Sequence, residues 1–182
     1  MAEVEETLAL AKTGDTAAFG KLVHAYQSMV FSAALHFFHN SAWAEEIAQE
    51  VFLDLYRSLK RIASPDHLRA WLLRSTMCRC IDLSRRRKYR AEVPLDELAT
   101  PAAKSLPGDI FAADWLRGQV AGLSESQRAV LVLRYQEELE PSEIAVLLDV
   151  PVNTVKSRLH RALETLRARY HEASRKAVTE AV

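Results

Sequence analysis

Residues 141–162 read PSEIAVLLDVPVNTVKSRLHRA, and this stretch decides the fold of the second half of the chain. Pro141 is tolerated at the first position of a helix, and the apolar residues after it predict a short helix that ends at Leu148. Pro151 lacks a backbone N–H group and disfavours helix at the residue before it, so the chain must turn between Leu148 and Pro151. The stretch therefore predicts a short helix followed by an enforced turn.

A second helix is predicted to begin between Val152 and Thr154, with Asn153 or Thr154 as its N-cap. Ala145 is small at the point where the two helices would cross closely. The apolar positions of the second helix recur at helical spacing and form one stripe for burial, namely Val155, Leu159, Ala162, Leu163 and Leu166. Together these features are typical of a helix-turn-helix.

The opposite face of the second helix is basic and polar. Its first turns carry Lys156, Ser157, His160 and Arg161, at a spacing that would present all four to the major groove of DNA. Charged helix faces are usually only solvated, and this is the plainer interpretation. A short helix, an enforced turn, a small crossing residue and a basic second helix occur together here, and their conjunction favours DNA binding.

The composition indicates a helical protein. Of the 182 residues, 49% are hydrophobic and 26% are charged, and five glycines and six prolines allow long helices with few breaks. Helical periodicity predicts helices over residues 17–38, 41–59 and 67–87, with Asp66 as a cap that ends the loop before the third. The apolar residues expected to face the core in the first two helices are Phe19, Leu22, Val23, Tyr26, Val30, Phe31, Leu35, Ile47, Val51, Phe52 and Leu55. We expect an all-α protein.

Residues 91–108 are predicted to be a linker, because they hold three prolines and a glycine and show no sustained apolar period. The linker separates two small helical domains, residues 1–90 and residues 109–182. In the second domain, residues 124–127 read SESQ, a capping box that opens a helix through Tyr135.

The formal net charge of zero is a sum over unlike segments. Residues 74–90 contain seven basic residues and one aspartate, a formal charge of +6. Residues 152–176 carry seven basic and two acidic residues, a charge of +5, and residues 91–114 carry one basic and five acidic residues, a charge of −4. Two basic segments thus flank an acidic connector, which fits a nucleic-acid partner better than the total charge does.

Several classes of protein are not expected. No apolar run has membrane-spanning length and the first residues are acidic, so we expect no membrane insertion and a location in the cytoplasm. Cys78 and Cys80 fall on different faces of a helix and are expected to be buried small hydrophobes, with a zinc site that includes His36 or His39 as the alternative. Without a glycine-rich phosphate loop, an HExxH motif or a nucleophile elbow, the chain is not expected to be an enzyme or to hold a cofactor or metal.

Two parts of the chain resemble a known family. Residues 142–162, from SEIA to NTVKSRLHRA, are similar almost position for position to the promoter-reading signature of sigma region four. Residues 44–53, AEEIAQEVFL, resemble the polymerase-docking helix of sigma region two, and residues 69–83 resemble its promoter-melting helix. The chain therefore resembles the extracytoplasmic-function (ECF) group of the bacterial sigma-70 family over nearly its whole length.

The resemblance implies a sigma factor that binds core RNA polymerase and directs promoter-specific initiation. Glu46, Gln49 and Glu50 would dock on the coiled coil of the largest polymerase subunit, and the polymerase flap would be a further contact. Acidic and amide groups on one helix face suit a basic partner helix, although solvated surface residues are the plainer interpretation of any glutamate. A cognate anti-sigma factor is an expected partner.

The same resemblance implies two promoter contacts. The residues expected at the minus-thirty-five element are Thr154, Lys156, Ser157, Arg158, His160 and Arg161. The loop at residues 64–67 and the third helix would capture the non-template strand at the minus-ten element, on a cationic track for phosphates. The residues of that track are Lys60, Arg61, Arg69, Arg74, Arg79, Arg85 and Arg86. Trp71 is expected in the core rather than as a base wedge.

The sequence departs from the family at two places. Met77 and Cys78 stand where the family commonly has Arg-Asn, which bears on base choice at the minus-ten element. Asp149 occupies a turn position that is usually glycine, and aspartate tolerates left-handed geometry better than most residues. The alternative function is a helix-turn-helix regulator that never recruits polymerase.

Overall fold

The protein is described by a computed structural model that covers residues 2–90 and 109–180. The chain divides into two compact units, Met1–Thr100 and Pro101–Val182. The described residues form eight α-helices and no strand, which confirms the all-α prediction. Residues 91–108, predicted to be a linker, lie outside the described ranges.

Four helices and one short 3₁₀ turn make up the first unit. The helices are α1 (Ala2–Lys12), α2 (Thr16–Phe38), α3 (Ser41–Ser58) and α4 (Pro65–Arg90), and the 3₁₀ turn is Leu59–Arg61. The sequence pattern predicts α2 and α3 closely but carries no signal that indicates α1. Leu8 and Ala11 of α1 are buried, and the helix packs against α2.

Side-chain caps fix where these helices begin. The Asp15 carboxylate accepts the N–H groups of Ala17 and Ala18, and the Asn40 side chain accepts that of Trp43. The predicted cap of α4 was wrong: the helix already begins at Pro65, and Asp66 lies within its first turn. The Ser64 hydroxyl, one residue before the helix, accepts the N–H of His67 instead.

The core of the first unit lies between α2, α3 and α4. Three alanines at the contact, Ala33, Ala34 and Ala44, are fully buried, and their small side chains permit close approach of the helices. The largest buried side chains around them are Leu22, Phe37, Ile47, Leu55, Leu68, Leu72, Leu73 and Met77. Trp71 is half-buried at the edge of this core, so the expectation of a core position is met only in part.

The second unit contains α5 (Asp109–Ala121), α6 (Glu125–Tyr135), α7 (Pro141–Leu148) and α8 (Val152–Glu180). The capping box of α6 is confirmed: the Gln127 backbone N–H donates to the Ser124 hydroxyl, and the Ser124 backbone N–H donates to the Gln127 side-chain Oε1. The buried stripe of α8 is also confirmed, because Ala162 is buried with Leu123 and Leu131 while Leu159, Leu163 and Leu166 pack against them.

The turn between α7 and α8 has the predicted geometry, but α8 begins before both of its predicted cap residues. Asp149 is left-handed, with φ 55° and ψ 53°, and ends α7. The predicted N-cap of α8 was wrong, because the helix begins at Val152. Asn153 and Thr154 therefore lie inside its first turn, where the Thr154 N–H donates to the Pro151 carbonyl at 2.9 Å.

One arginine attaches the far part of α8 to α5. The Arg169 guanidinium donates to the carbonyl oxygens of Gln119 at 2.8 Å and Gly122 at 3.4 Å, where α5 ends. A positive charge at a helix C-terminus is favoured by the helix dipole. Trp115 and Tyr170 add an edge-to-face contact with their ring centroids 5.9 Å apart. None of the helices in the described ranges has the length and apolar character that a bilayer-spanning segment needs.

Candidate DNA-binding and partner-binding surfaces

The helix-turn-helix holds its predicted DNA-binding residues on the outer face of α8. Ile144 of α7 and Val155 of α8 are fully buried where the two helices pack against each other. Lys156, Ser157, His160 and Arg161 are exposed on the opposite side. The two remaining predicted contacts, Thr154 and Arg158, are half-buried.

Local contacts order part of this face. His160 Nε2 lies 3.1 Å from the Glu164 carboxylate one turn later, and the Ser157 hydroxyl donates to the Thr154 carbonyl at 3.1 Å. Within the described part of the chain, no carboxylate pairs with Lys156 or Arg161. These two cations are therefore the strongest candidates on α8 for a phosphate or a base edge.

The second basic surface follows α4 and the 3₁₀ turn before it. Lys60, Arg61, Arg74, Arg85 and Arg86 are exposed, and Arg69 is half-buried. Arg69 lies near Tyr26 of α2. Burial raises the pKa of the Tyr26 phenol above its usual value, Arg69 partly offsets the rise, and Asp66 adds to it. The phenol thus stays protonated beside the start of α4.

The loop before α4 is closed by two hydrogen bonds. The Ala63 N–H donates to His67 Nδ1 at 3.0 Å, and the His67 N–H donates to the Ser64 hydroxyl at 3.1 Å. An Nδ1 that accepts a hydrogen bond leaves the ring proton on Nε2. The loop predicted to capture an unpaired strand is therefore ordered by its own side chains.

The two family departures on α4 face opposite ways. Met77 is fully buried in the core, whereas Cys78 is exposed. The expectation that both cysteines are buried was wrong for Cys78 and right for Cys80. Cys78 is therefore the departure that lies on the surface of α4.

The predicted docking residues lie on α3. Glu46 and Gln49 are exposed, and Glu50 is half-buried against α4. There the Arg79 guanidinium donates from Nη1 to Glu50 and from Nη2 to Asp54. The structure thus places Arg79, which was expected in the cationic track, against α3.

These contacts keep Arg79 charged. Its pKa is raised above the usual value, chiefly by the hydrogen bond to Asp54 and further by Glu50, although burial opposes the shift. A polar groove of about 340 Å³ opens beside the ion pairs, and its charged lining residues are Glu46, Glu50, Arg79, Asp82 and Arg86.

A second groove, between α2 and α3, was missed by the sequence analysis. It has a volume of about 460 Å³, and its lining includes Val23, Phe31 and Phe52 beside Gln49. All three apolar residues were predicted to face the core, and the structure shows them half-buried. Periodicity identified them as apolar but could not show that they line a groove rather than the closed core.

Arg87 also has a role that the sequence did not indicate. Its guanidinium lies over the Trp43 ring, 3.7 Å from the ring centroid, so α4 is attached to the start of α3 by a cation–π contact. Trp43 in turn meets Phe38 edge to face at 5.2 Å. Arg87, which belongs to the basic segment at residues 74–90, therefore packs on an aromatic ring of the same protein.

Comparisons with known proteins show the family to which the two units belong. The family "Sigma-70 region 2" matches residues 22–90, and "Sigma-70, region 4" matches residues 113–166. The chain is 30% identical over 166 residues to the ECF RNA polymerase sigma-E factor of Escherichia coli, which covers 84% of this chain and 86% of that one.

Two solved structures share the fold. CnrH, in complex with the cytosolic domain of CnrY, is 25% identical with a TM-score of 0.66 over 92% of this chain and 97% of that one. The sigma factor RpoE of Bartonella quintana, in complex with the anti-sigma factor NepR, is 19% identical with a TM-score of 0.65 over 82% of this chain and 94% of that one.

The two matched regions, one in each helical unit, together define the class of protein as a transcription initiation factor. The chain belongs to the ECF group of the sigma-70 family and is an RNA polymerase sigma factor.

Proposed function

We propose that the chain docks on the coiled coil of the largest polymerase subunit through α3 and contacts promoter DNA through α4 and α8. The observation that carries the proposal is the distribution of charge over the helices. On α3 the exposed side chain of Glu46 is acidic. On α8 the exposed side chains of the first turns are basic. The chain acts by binding in this proposal, which includes no catalytic step.

The proposed docking surface combines charge and an apolar groove. Glu46, Gln49 and Glu50 follow one face of α3, and the groove lined by Val23 and Phe52 opens directly beside Gln49. A basic partner helix can pair with the carboxylates while it buries an apolar side chain in the groove. Either feature alone is common on protein surfaces, and their adjacency supports a docking site.

The proposed promoter contacts lie on α8, on α4 and on the 3₁₀ turn before α4. At the minus-thirty-five element they are Thr154, Lys156, Ser157, Arg158, His160 and Arg161. At the minus-ten element they are Lys60, Arg61, Arg69, Arg74, Arg85 and Arg86, with Cys78 on the same helix. In this proposal residues 1–90 dock and melt, residues 91–108 connect, and residues 109–182 read the upstream element and contact the polymerase flap.

We also propose that a cognate anti-sigma factor holds the free chain inactive in the cytoplasm. The support is the solved RpoE structure, whose partner is an anti-sigma factor. The proposal predicts that a pull-down from the native cell recovers such a protein and that adding it lowers core binding. Full core binding at saturating amounts of the recovered protein would contradict it.

Core binding and transcription test the main proposal. The chain should co-purify with core polymerase and support run-off transcription from a matching promoter. Glu46→Lys with Glu50→Lys should abolish core binding while the protein stays helical by circular dichroism. Glu3→Lys with Glu5→Lys, a matched double reversal on exposed residues of α1, should leave core binding unchanged.

The same experiment decides between the proposal and its alternative. A helix-turn-helix regulator that never recruits polymerase would bind promoter DNA in the absence of core enzyme and would not co-purify with it. Retained core binding in the Glu46→Lys, Glu50→Lys variant would show instead that the docking face is assigned to the wrong residues.

A further inference from the structure

The most specific polar contact between α3 and α4 is a bridge built on Arg79. Its guanidinium donates from Nη1 to Glu50 and from Nη2 to Asp54, which are 29 and 25 residues away in the chain. The side chains of Arg79, Glu50 and Asp54 are 34%, 43% and 29% exposed. The bridge is therefore neither fully solvated nor sealed, and the outer side of Glu50 remains accessible to a partner.

Asp54 is the fixed end of the bridge. Its second carboxylate oxygen faces Arg57 at 3.4 Å, so cations lie on both sides of Asp54. A guanidinium is planar and its donors point in fixed directions. Once Nη2 is bound to Asp54, the plane of the group is set, and with it the direction from which Nη1 meets Glu50.

We propose that Arg79 is a positioning residue of the polymerase-docking face: Asp54 orients Arg79, and Arg79 orients the Glu50 carboxylate toward the partner. This inference rests on the proposed docking role of Glu50. It removes Arg79 from the cationic track on α4 and gives Asp54 a part in polymerase binding.

The local charge explains why Arg79 does not serve DNA phosphates. Arg79 and Arg57 with Glu50 and Asp54 carry a formal charge of zero, and adding Glu46, Asp82 and Arg86 of the same groove makes it −1. An anionic phosphate is repelled by such a cluster, whereas a lysine or arginine of a partner helix is attracted to it.

The test compares two arginines of α4 in the full-length chain. Arg79→Met should weaken binding to core polymerase about three- to tenfold, the size expected for one charge-assisted contact of a partly exposed group. Asp54→Asn, which is isosteric but removes the charge that orients Arg79, should weaken core binding by a similar factor. Arg85→Met, the matched control on an exposed arginine, should leave core binding unchanged and lower the salt dependence of promoter binding by the holoenzyme.

A double-mutant cycle separates positioning from simple stabilisation. In a Glu50→Gln background, Asp54→Asn should cause no further loss of core affinity, because Asp54 acts through Glu50. A merely structural role would lower affinity equally in both backgrounds and would move the thermal transition in step. Should Arg79→Met fail to fold, the Asp54→Asn pair still decides the question.

Two outcomes overturn the inference in distinguishable ways. Unchanged core affinity in Arg79→Met and Asp54→Asn, with a lower salt dependence of promoter binding in Arg79→Met, would make Arg79 a phosphate contact. Retained core affinity in the Glu46→Lys, Glu50→Lys variant would instead overturn the docking face itself.

Discussion

At the scale of single residues, the turn of the helix-turn-helix depends on an unusual backbone conformation. Asp149 has a φ of 55° and its backbone N–H donates back to α7. The left-handed region is strained for residues with a Cβ, and aspartate is among the few that adopt it often. The sequence allowed this inference because Pro151 forces the chain to turn immediately before α8.

Replacement of Asp149 measures this strain. Asp149→Gly should be more stable than Asp149→Ala by about 1 kcal/mol, since glycine adopts positive φ without steric cost. Both variants lack the carboxylate, so whatever that group contributes cancels in the comparison. Urea unfolding of the two proteins measures the difference, and equal stabilities would contradict the strain argument.

Two neighbouring residues of α4 should respond in opposite ways to substitution. Cys78→Asn changes an exposed residue and should alter base preference at the minus-ten element with a stability change of about 0.5 kcal/mol or less. Met77→Ala empties a core position and should cost about 2–5 kcal/mol. Transcription from a set of minus-ten variants and thermal unfolding measure the two effects. An unaltered base preference in Cys78→Asn would remove that residue from the DNA contact.

The N-terminal caps of α4 and α8 differ from the predicted ones. Ser64 caps α4 where Asp66 was expected, and α8 begins before Asn153 and Thr154. In each case several polar residues stand near the helix start, and a shift of one or two residues in the boundary decides which one caps. Propensity ranks these candidates but does not fix the boundary.

At the scale of helices, the strongly periodic segments were predicted well. The bounds of α6 and α7 agree with the sequence analysis at every end, because a capping box and a proline mark them. The first helix, α1, was missed because it carries no comparable signal and its burial depends on α2. Ala33 and Ala34 were missed as core residues because alanine adds little to an apolar pattern, although their small size allows close helix packing.

The contact between α5 and α8 gives a prediction at this scale. Arg169→Met should speed amide hydrogen exchange in α5, because two hydrogen bonds at its C-terminal end are lost at a cost of about 1 kcal/mol. Arg167→Met on the same helix is exposed and is the control, with no expected change. A Cβ at Gly122 would lie 2.9 Å from the Arg169 guanidinium, so Gly122→Ala should reproduce the effect of Arg169→Met. Exchange rates in α5 that match the parent protein would exclude this anchoring role.

At the scale of the whole molecule, the division of charge was readable from the sequence, but the use of each charge was not. The two basic segments are present on α4 and α8. Within them, Arg79 binds carboxylates, Arg87 stacks on Trp43, and Arg169 binds backbone carbonyls. A count of charges along the chain cannot separate such internal contacts from cations that face a partner, because the acceptors come from distant parts of the sequence.

One cation from each unit should contribute independently to promoter binding. Arg161→Met should lower the salt slope of holoenzyme binding by about 0.9, as for a duplex phosphate, and Arg85→Met by about 0.7, as for a single strand. In the double variant the salt slope should fall by the sum of the two single decreases, because the residues belong to different units and share no partner. Binding measured over a range of salt concentrations gives the slopes.

Two results are informative about Arg161 in particular. Relaxed base preference at the minus-thirty-five element with little change in slope would mean that it reads a base edge. Unchanged affinity, slope and preference would exclude it from the promoter contact. Arg167→Met is again the control, because residue 167 lies about 240° around the helix from residue 161.

Helix α4 is continuous from Pro65 to Arg90, so the distance between its two ends is fixed. Its 26 residues rise about 1.5 Å each, so the helix is about 39 Å long. The Ser64 cap stands at one end and the basic run at the other, and no loop between them can stretch to absorb a mismatch. In the proposed promoter complex, a strand that touches both ends of α4 must therefore span about 39 Å, so the length of the helix would set the distance between those two contacts.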